Sequence, residues 1–373
     1  VGTLELKPEK RILFLIDSLS GGGKERRLIQ LIKGLNDRGF RQLYLISLSD
    51  IIDYPFIAEY QVQVKVLKRS IKKDPGMFLK LYREVKNIRP DVVHSWSIMT
   101  AFYASPVCRL LHIPHIAGFV ADCNGVRRYS FYHLAVTLPY RMASRIIGNS
   151  RAGLEAYNVP SAKGRVIYNG FEMARITSRA AGSDGRRELR IETPFVVSMA
   201  ARFEKEKDFE TFFSAARILL GKRKDITFLA IGKGELYDQF EKGIAEPENK
   251  YIRMLGFRSD IEGIIRLSDI GVLCTNPDFH AEGISNSLME FMAFGKPVIS
   301  TRGGAVGELI ADKTDGFLIP PKDPAALAAT IEQLLQPGSQ LASVGEAAHR
   351  TVEAKFSLER MTKEYIQLYE EFS

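Results

Sequence analysis

Short apolar runs recur along the chain, and each is followed by a stretch whose apolar positions return every three or four residues. Strands covered on both faces read as unbroken apolar segments, and helices lying on them show the longer period, so the pattern predicts parallel sheets layered with helices. The predicted strands of the first half are RILFLID (11–17), LYLISL (43–48), VQVKVL (62–67), DVVHSW (91–96), HIAGFV (115–120), RIIGN (145–149) and RVIYN (165–169). Residues 172–194 lose the periodicity and become polar with Gly and Ser, as a linker does. A second series follows: FVVSMA (195–200), ITFLAIG (226–232), YIRMLGF (251–257), IGVLC (270–274), PVIST (297–301) and GFLIP (316–320). The pattern predicts an α/β chain of two similar domains, residues 1–171 and 195–354, with helices at 324–335, about 340–354 and 357–372. The last helix carries Met361, Tyr365, Leu368, Tyr369 and Phe372 on one apolar face.

Composition narrows the class. A length of 373 residues suits two domains, and no run approaches the ~20 apolar residues of a membrane span, so a soluble or peripheral protein is expected. Cys108, Cys123 and Cys274 stand singly, without C-x-x-C spacing, which points to core thiols in a reducing compartment and to a cytoplasmic location. Net charge is +8, but residues 1–190 hold 31 Lys+Arg against 16 Asp+Glu, while residues 191–373 hold 21 against 28. The basic half either faces something anionic or complements the acidic half. Lys65, Lys68, Arg69, Lys72 and Lys73 cluster ahead of Met77, Phe78, Leu81 and Tyr82, which fall at helical spacing, and Arg127, Arg128, Arg141 and Arg145 add charge. This arrangement suits peripheral attachment to an anionic membrane surface on its inner face; the alternative is a solvated basic face over a helix whose apolar stripe is core. Nucleic acid is not expected as a partner, because no recognition motif or aromatic platform accompanies the charge.

Several segments at strand ends carry chemistry. LIDSLSGGGKERR leaves the first strand through Gly21, Gly22 and Gly23, a place where backbone amides can approach an anion. It fails the NTPase loop at Ser18 and Glu25, and it meets Arg26 where the third glycine of the dinucleotide fingerprint belongs. After FVVSMA, Arg202 and Lys207 could clamp a diphosphate or could form a solvated turn. After ITFLAI, Gly232 and Gly234 permit a tight turn. In HAEGISNSLMEFMAFGKPVIST, Glu282 and Glu290 flank Gly283, Ile284, Ser285, Asn286 and Ser287, so one carboxylate stands at a helix mouth and the other about two turns along. The alternative is an amphipathic helix with solvated acids.

The chain resembles the retaining glycosyltransferases of family 4, which have the two-domain GT-B fold. EGISNSLMEFMAFGKPVIST matches the family's E-x7-E signature, and Arg202 with Lys207 matches its R-x4-K pair. PDVVHSW, GNS at 148–150, IYNG at 167–170, IGKGEL, LGF at 255–257, GG-x3-E at 303–308 and DGFLIP match in order, over nearly the whole chain. The resemblance implies two Rossmann-like domains facing across a cleft, with the final helix (357–373) packing back on the first. It implies that Glu282 contacts the donor sugar and Glu290 the ribose of a nucleotide sugar. Arg202 and Lys207 would hold the diphosphate, helped by amides around Ile284 to Ser287 and by the loops at Gly22, Gly23 and Gly232. The turn of Phe257 and Arg258 would lie near the base, which favours a UDP-sugar. A glycan or lipid-linked acceptor would be served from the first domain, where His94, Trp96 and Asp122 are candidates; His94 and Trp96 could equally be packing residues and Asp122 a turn cap. The histidine that many members carry is replaced here within IAGFVADCNG. No cofactor and no metal is expected. The implied reaction is front-face sugar transfer to an acceptor hydroxyl; the alternatives are an epimerase or phosphorylase on the same architecture, or a non-catalytic nucleotide-sugar-binding subunit.

Overall fold

A computed structural model describes residues 9–20, 22–53, 57, 59–71, 73–125, 131–177 and 185–372. Gly21, Lys72, Arg127, Arg128 and residues 178–184 of the expected linker lie outside the described residues. The chain forms two compact units, Val1–Gly170 with Leu358–Ser373, and Phe171–Ser357.

The first unit holds a sheet of seven described strands, β1 (Ile12–Ile16), β2 (Leu43–Ser47), β3 (Gln63–Val66), β4 (Val92–Ser95), β5 (His115–Val120), β6 (Arg145–Gly148) and β7 (Gly164–Val166), in the order β3-β2-β1-β4-β5-β6-β7. Every pairing is parallel. β1 shows why its sequence is apolar throughout. Ile12, Phe14 and Ile16 enter one core layer, while Leu13 and Leu15 enter the other, because successive strand side chains point to opposite faces. The first layer is closed by the helix Leu358–Glu370, whose Met361, Tyr365, Leu368 and Tyr369 are buried. The helix comes close to Gly34, where an added Cβ would lie 2.2 Å from Thr362 Oγ1.

The opposite layer corrects one expectation. Met77 and Leu81, on the helix Met77–Ile88, are buried in the core, and Phe78 and Tyr82 pack against it. That apolar stripe is core and does not face a membrane.

The second unit holds six strands, β8 (Phe195–Ala200), β9 (Ile226–Ile231), β10 (Ile252–Gly256), β11 (Ile270–Leu273), β12 (Val298–Thr301) and β13 (Phe317–Ile319), ordered β10-β9-β8-β11-β12-β13 and parallel throughout. In each sheet the order reverses direction beside the unit's first strand, at β1/β4 and at β8/β11, and ligands of such sheets bind beyond the carboxyl ends at that point. Residues 172–177 and 185–194 group with the second unit, since the boundary falls after Gly170. There Phe171 N–H donates to the carbonyl of Phe356 at 2.7 Å, so the two places where the chain passes between units are bonded to each other within the second unit.

Candidate active site

Three strand ends of the second unit, those of β8, β11 and β12, converge on Glu282. Past β8 the chain turns through Arg202 and Phe203, whose ring stacks on Phe209 at 3.7 Å, and it is then tied to the segment after β11. Lys207 forms an antiparallel bridge with Thr275, and Asp208 N–H donates to the Cys274 carbonyl at 3.0 Å. Asp208 also caps the helix Phe209–Leu220 by accepting from Thr211 N–H at 3.0 Å. A backbone fixed in this way delivers the Lys207 ammonium to Glu282, with which it forms an ion pair. Thr275 Oγ1 donates to Glu282 Oε2 at 3.3 Å, and His280 Nε2 lies 3.8 Å from the same oxygen. The Lys207 and Glu282 side chains are only 18% and 13% exposed, which places their charges where water screens them little.

The Glu282 backbone is held as firmly as its side chain. Its carbonyl accepts from Ala305 N–H at 2.7 Å, and Gly304, at φ +53°, approaches so closely that a Cβ there would lie 2.1 Å from that carbonyl oxygen. Gly304 is therefore required by a contact with the carboxylate-bearing segment. Gly232, after β9, is comparable: at φ +136° its Cβ would meet the Ala201 carbonyl at 1.9 Å. A cavity of about 80 Å³ opens here, lined by Thr275, His280, Glu282, Thr301, Gly303 and Gly304.

Beyond Gly283 and Ile284, both buried, Ser285 caps the helix Asn286–Ala293 by accepting from Leu288 N–H, and Ser287 Oγ donates to the Ala200 carbonyl at 2.7 Å. Glu290 lies on that helix, buried, with Oε1 at 3.4 Å from both terminal nitrogens of Arg175. Arg175 also donates to Glu262 Oε1, from Nε at 3.0 Å and from a terminal nitrogen at 2.5 Å. Burial opposes the charge of Arg175, but Glu290 and Glu262 outweigh it and hold the guanidinium above its ordinary value.

Other expected donor residues stand differently. Arg202 is 74% exposed and pairs with Glu204 at 3.0 Å, so it does not join the Lys207–Glu282 cluster. Phe257 is exposed. Arg258 is held by Asp260 at 2.7 and 2.6 Å and by Glu188 at 3.1 Å, which raises its pKa further and leaves the turn to contribute backbone groups. Burial pushes the Cys108 and Cys274 thiols far above their usual range, as inert core thiols.

In the first unit, Gly22 caps the helix Gly23–Asp37. A Cβ on Gly22 would lie 2.2 Å from Glu25 Oε2, so the glycine here makes room for a carboxylate. Lys24 is neutralised by Asp17 at 2.6 Å and Glu25 at 3.4 Å. His94 and Trp96 fit the packing alternative: both are buried, His94 Nδ1 pairs with Tyr369 OH at 2.8 Å, and the Arg27 guanidinium lies 4.6 Å over the Trp96 ring. Burial, then the charge of Arg27, drives the His94 pKa well down, so the imidazole is neutral. Asp122 Oδ1 accepts from Asn124 N–H at 2.9 Å and Tyr157 OH at 3.0 Å, the behaviour of a turn cap. Arg175, Glu262, Thr275 and His280 were not expected at the site. Thr275 and His280 follow β11, a position that strand order alone could have flagged.

The family models place the chain among sugar-transferring enzymes. A family model for "Glycosyltransferase Family 4" matches residues 21–175 and one for "Glycosyl transferases group 1" matches residues 194–337. The chain is a member of glycosyltransferase family 4, with the GT-B fold. It is 24% identical over 361 residues to the lipopolysaccharide core biosynthesis glycosyltransferase LpsE of Rhizobium meliloti, covering 93% of this chain and 95% of the relative. It is 25% identical to the UDP-Gal:alpha-D-GlcNAc-diphosphoundecaprenol alpha-1,3-galactosyltransferase of Escherichia coli, over 67% of each chain. Among solved structures it resembles Anabaena HepE in complex with UDP, with a TM-score of 0.85 at 21% identity, covering 97% of this chain and 100% of that one.

Proposed function

We propose that this glycosyltransferase is a retaining, metal-independent hexosyltransferase that moves a sugar from UDP to an acceptor hydroxyl during polysaccharide or glycolipid assembly. The observation that carries the reading is the Lys207–Glu282 pair, set past the carboxyl ends of β8 and β11 with the Gly304 turn after β12 against the Glu282 backbone. Lys207 would neutralise the leaving diphosphate, helped by the amides at the mouth of the helix Asn286–Ala293, and Glu282 would hold the sugar. The bond from the anomeric carbon to the diphosphate oxygen breaks while the acceptor oxygen bonds on the same face, and the acceptor proton passes to the leaving phosphate. Support for uridine comes from the UDP complex of HepE and the UDP-Gal donor of the Escherichia coli relative.

The test is a donor screen by thermal shift followed by transfer assays in chelator. Stabilisation by a UDP-sugar, transfer without added metal, and a product with the donor's anomeric configuration are expected. An inverted product or a strict metal requirement would reject the reading.

A lipid-linked acceptor remains part of the proposal, supported by the diphosphoundecaprenol named for the Escherichia coli relative and by exposed Ile71 and Leu79 near Lys68, Arg69 and Lys73. No described helix is long and apolar enough to cross a membrane, so attachment would be at the surface. Salt-sensitive sedimentation with anionic vesicles is expected, and none with neutral ones.

A further inference from the structure

Arg175 has no counterpart among the motifs that identify the family, yet it is bound to one of that signature's two carboxylates. We propose that Arg175 is a positioning residue: its guanidinium fixes the Glu290 carboxylate in the orientation that receives the ribose hydroxyls of the donor. The proposal rests on the reading of Glu290 as the ribose contact, and adds the residue through which that contact is set.

Three observations carry it. Both terminal nitrogens of Arg175 converge on one oxygen, Glu290 Oε1, at 3.4 Å, so the guanidinium fixes where that carboxylate oxygen lies. The same guanidinium is itself anchored more tightly, by Glu262 at 2.5 and 3.0 Å and by the Phe171 ring, whose centroid is 5.0 Å away. Arg175 therefore has a fixed position independent of Glu290, as a group that orients another must have. Finally, the side chains of Arg175, Glu262 and Glu290 are 19%, 20% and 9% exposed, which shields the triad from the screening that makes surface pairs weak. The Arg175 contact to Glu290, at 3.4 Å, is longer than its 2.5 Å contact to Glu262.

A role through the ribose predicts a dependence that a general packing role does not. Calorimetric titration of the full chain would compare UDP with 2′,3′-dideoxy-UDP, which lacks the hydroxyls Glu290 would hold. The wild-type chain is expected to prefer UDP. Arg175→Met should weaken UDP binding about tenfold or more while leaving the dideoxy affinity within about twofold, and Arg175→Lys should restore part of the loss. Glu262→Gln, which removes the anchoring charge while keeping Glu290 itself in place, should shift UDP affinity in the same selective way and serves if Arg175→Met fails to fold. Equal losses for both nucleotides, or no loss in either variant, would overturn the positioning role. Wild-type binding of both nucleotides alike would also overturn it while leaving the uridine donor in place. Failure of the wild-type chain to bind UDP would overturn the donor reading and the proposal together.

Discussion

Both units arrange their first strand between the second and the next in the reversed direction, yet the two reversal points are put to opposite uses. Beyond β8 and β11 the chain sets Thr275, His280 and Glu282 along a cavity and pairs Lys207 with Glu282, held by backbone ties and by Gly304, which admits close approach. At the end of β4 the side chains are large and interlocked: Trp96 packs against Arg27 and Tyr365, and His94 against Tyr369. One reversal point is kept open by small residues and charged ones, the other is filled by aromatic rings. Topology offers the place, and the residues just past the strand decide whether a ligand or the protein itself occupies it.

The sharpest way to break this contrast is to disarm the open end. Glu282→Gln and Lys207→Ala are each expected to lower turnover by about 10²–10³-fold, the scale of losing one preorganised electrostatic partner, measured as kcat for sugar transfer with the fold checked by circular dichroism. Unchanged turnover in both would remove the functional half of the comparison.

A change touching only the support should cost less. Gly304→Ala sets a methyl carbon against the Glu282 carbonyl, at 2.1 Å before relaxation, and is expected to reduce turnover about 10- to 100-fold by shifting the carboxylate. Gly303→Ala has open space for the Cβ, so any loss there would reflect φ +145° alone, and comparing the two variants separates contact from backbone strain.

The filled end answers to pH. His94 and His115 are fully buried and neutral, with burial driving His115 down to about 3 and His94 well below 6.5. Unfolding frees both to bind protons, so the stability they contribute is whole above about pH 6.5 and is lost as pH falls toward 3, by of order 1 kcal/mol per pH unit per histidine. Trp96 is the chain's sole tryptophan and reports on this unit. Its fluorescence should show the denaturation midpoint dropping between pH 7 and pH 5, less steeply in His115→Gln. A slope unchanged by that substitution would mean that the carboxylates set the acid limit.

The smallest effect is expected at Arg202. Because its side chain is 74% exposed and already paired with Glu204, Arg202→Ala should weaken donor binding only a few-fold, against the larger loss at Lys207. Equal losses would show that the guanidinium reaches the diphosphate once donor is bound.

The contrast also explains what the sequence reveals. Strands such as ILFLI and FVVSMA are legible because burial on both faces leaves no polar position to confuse the period. The pairing of Lys207 with Glu282 is legible as two motif members, though their contact depends on the Lys207–Thr275 bridge, which spans β8 to β11 and leaves no local trace. His94 and Trp96 look the same on the page whether they line a pocket or fill one. The decision belongs to Tyr365 and Tyr369, far along the chain. Arg175 was hidden for the same reason: it stands in a polar stretch that reads as a linker, and its partners lie on two helices of the second unit.

The helix Leu358–Glu370 also sets an order of assembly. It completes the core of the first unit, yet it leaves the ribosome only after all of Phe171–Ser357 has been made. At roughly 5–20 residues per second, the first unit waits on the order of 10–40 seconds with Arg27, His94 and Trp96 lacking their cover. For that interval the newborn chain presents a basic, aromatic surface to the cell, and the finishing of one half is timed by the making of the other.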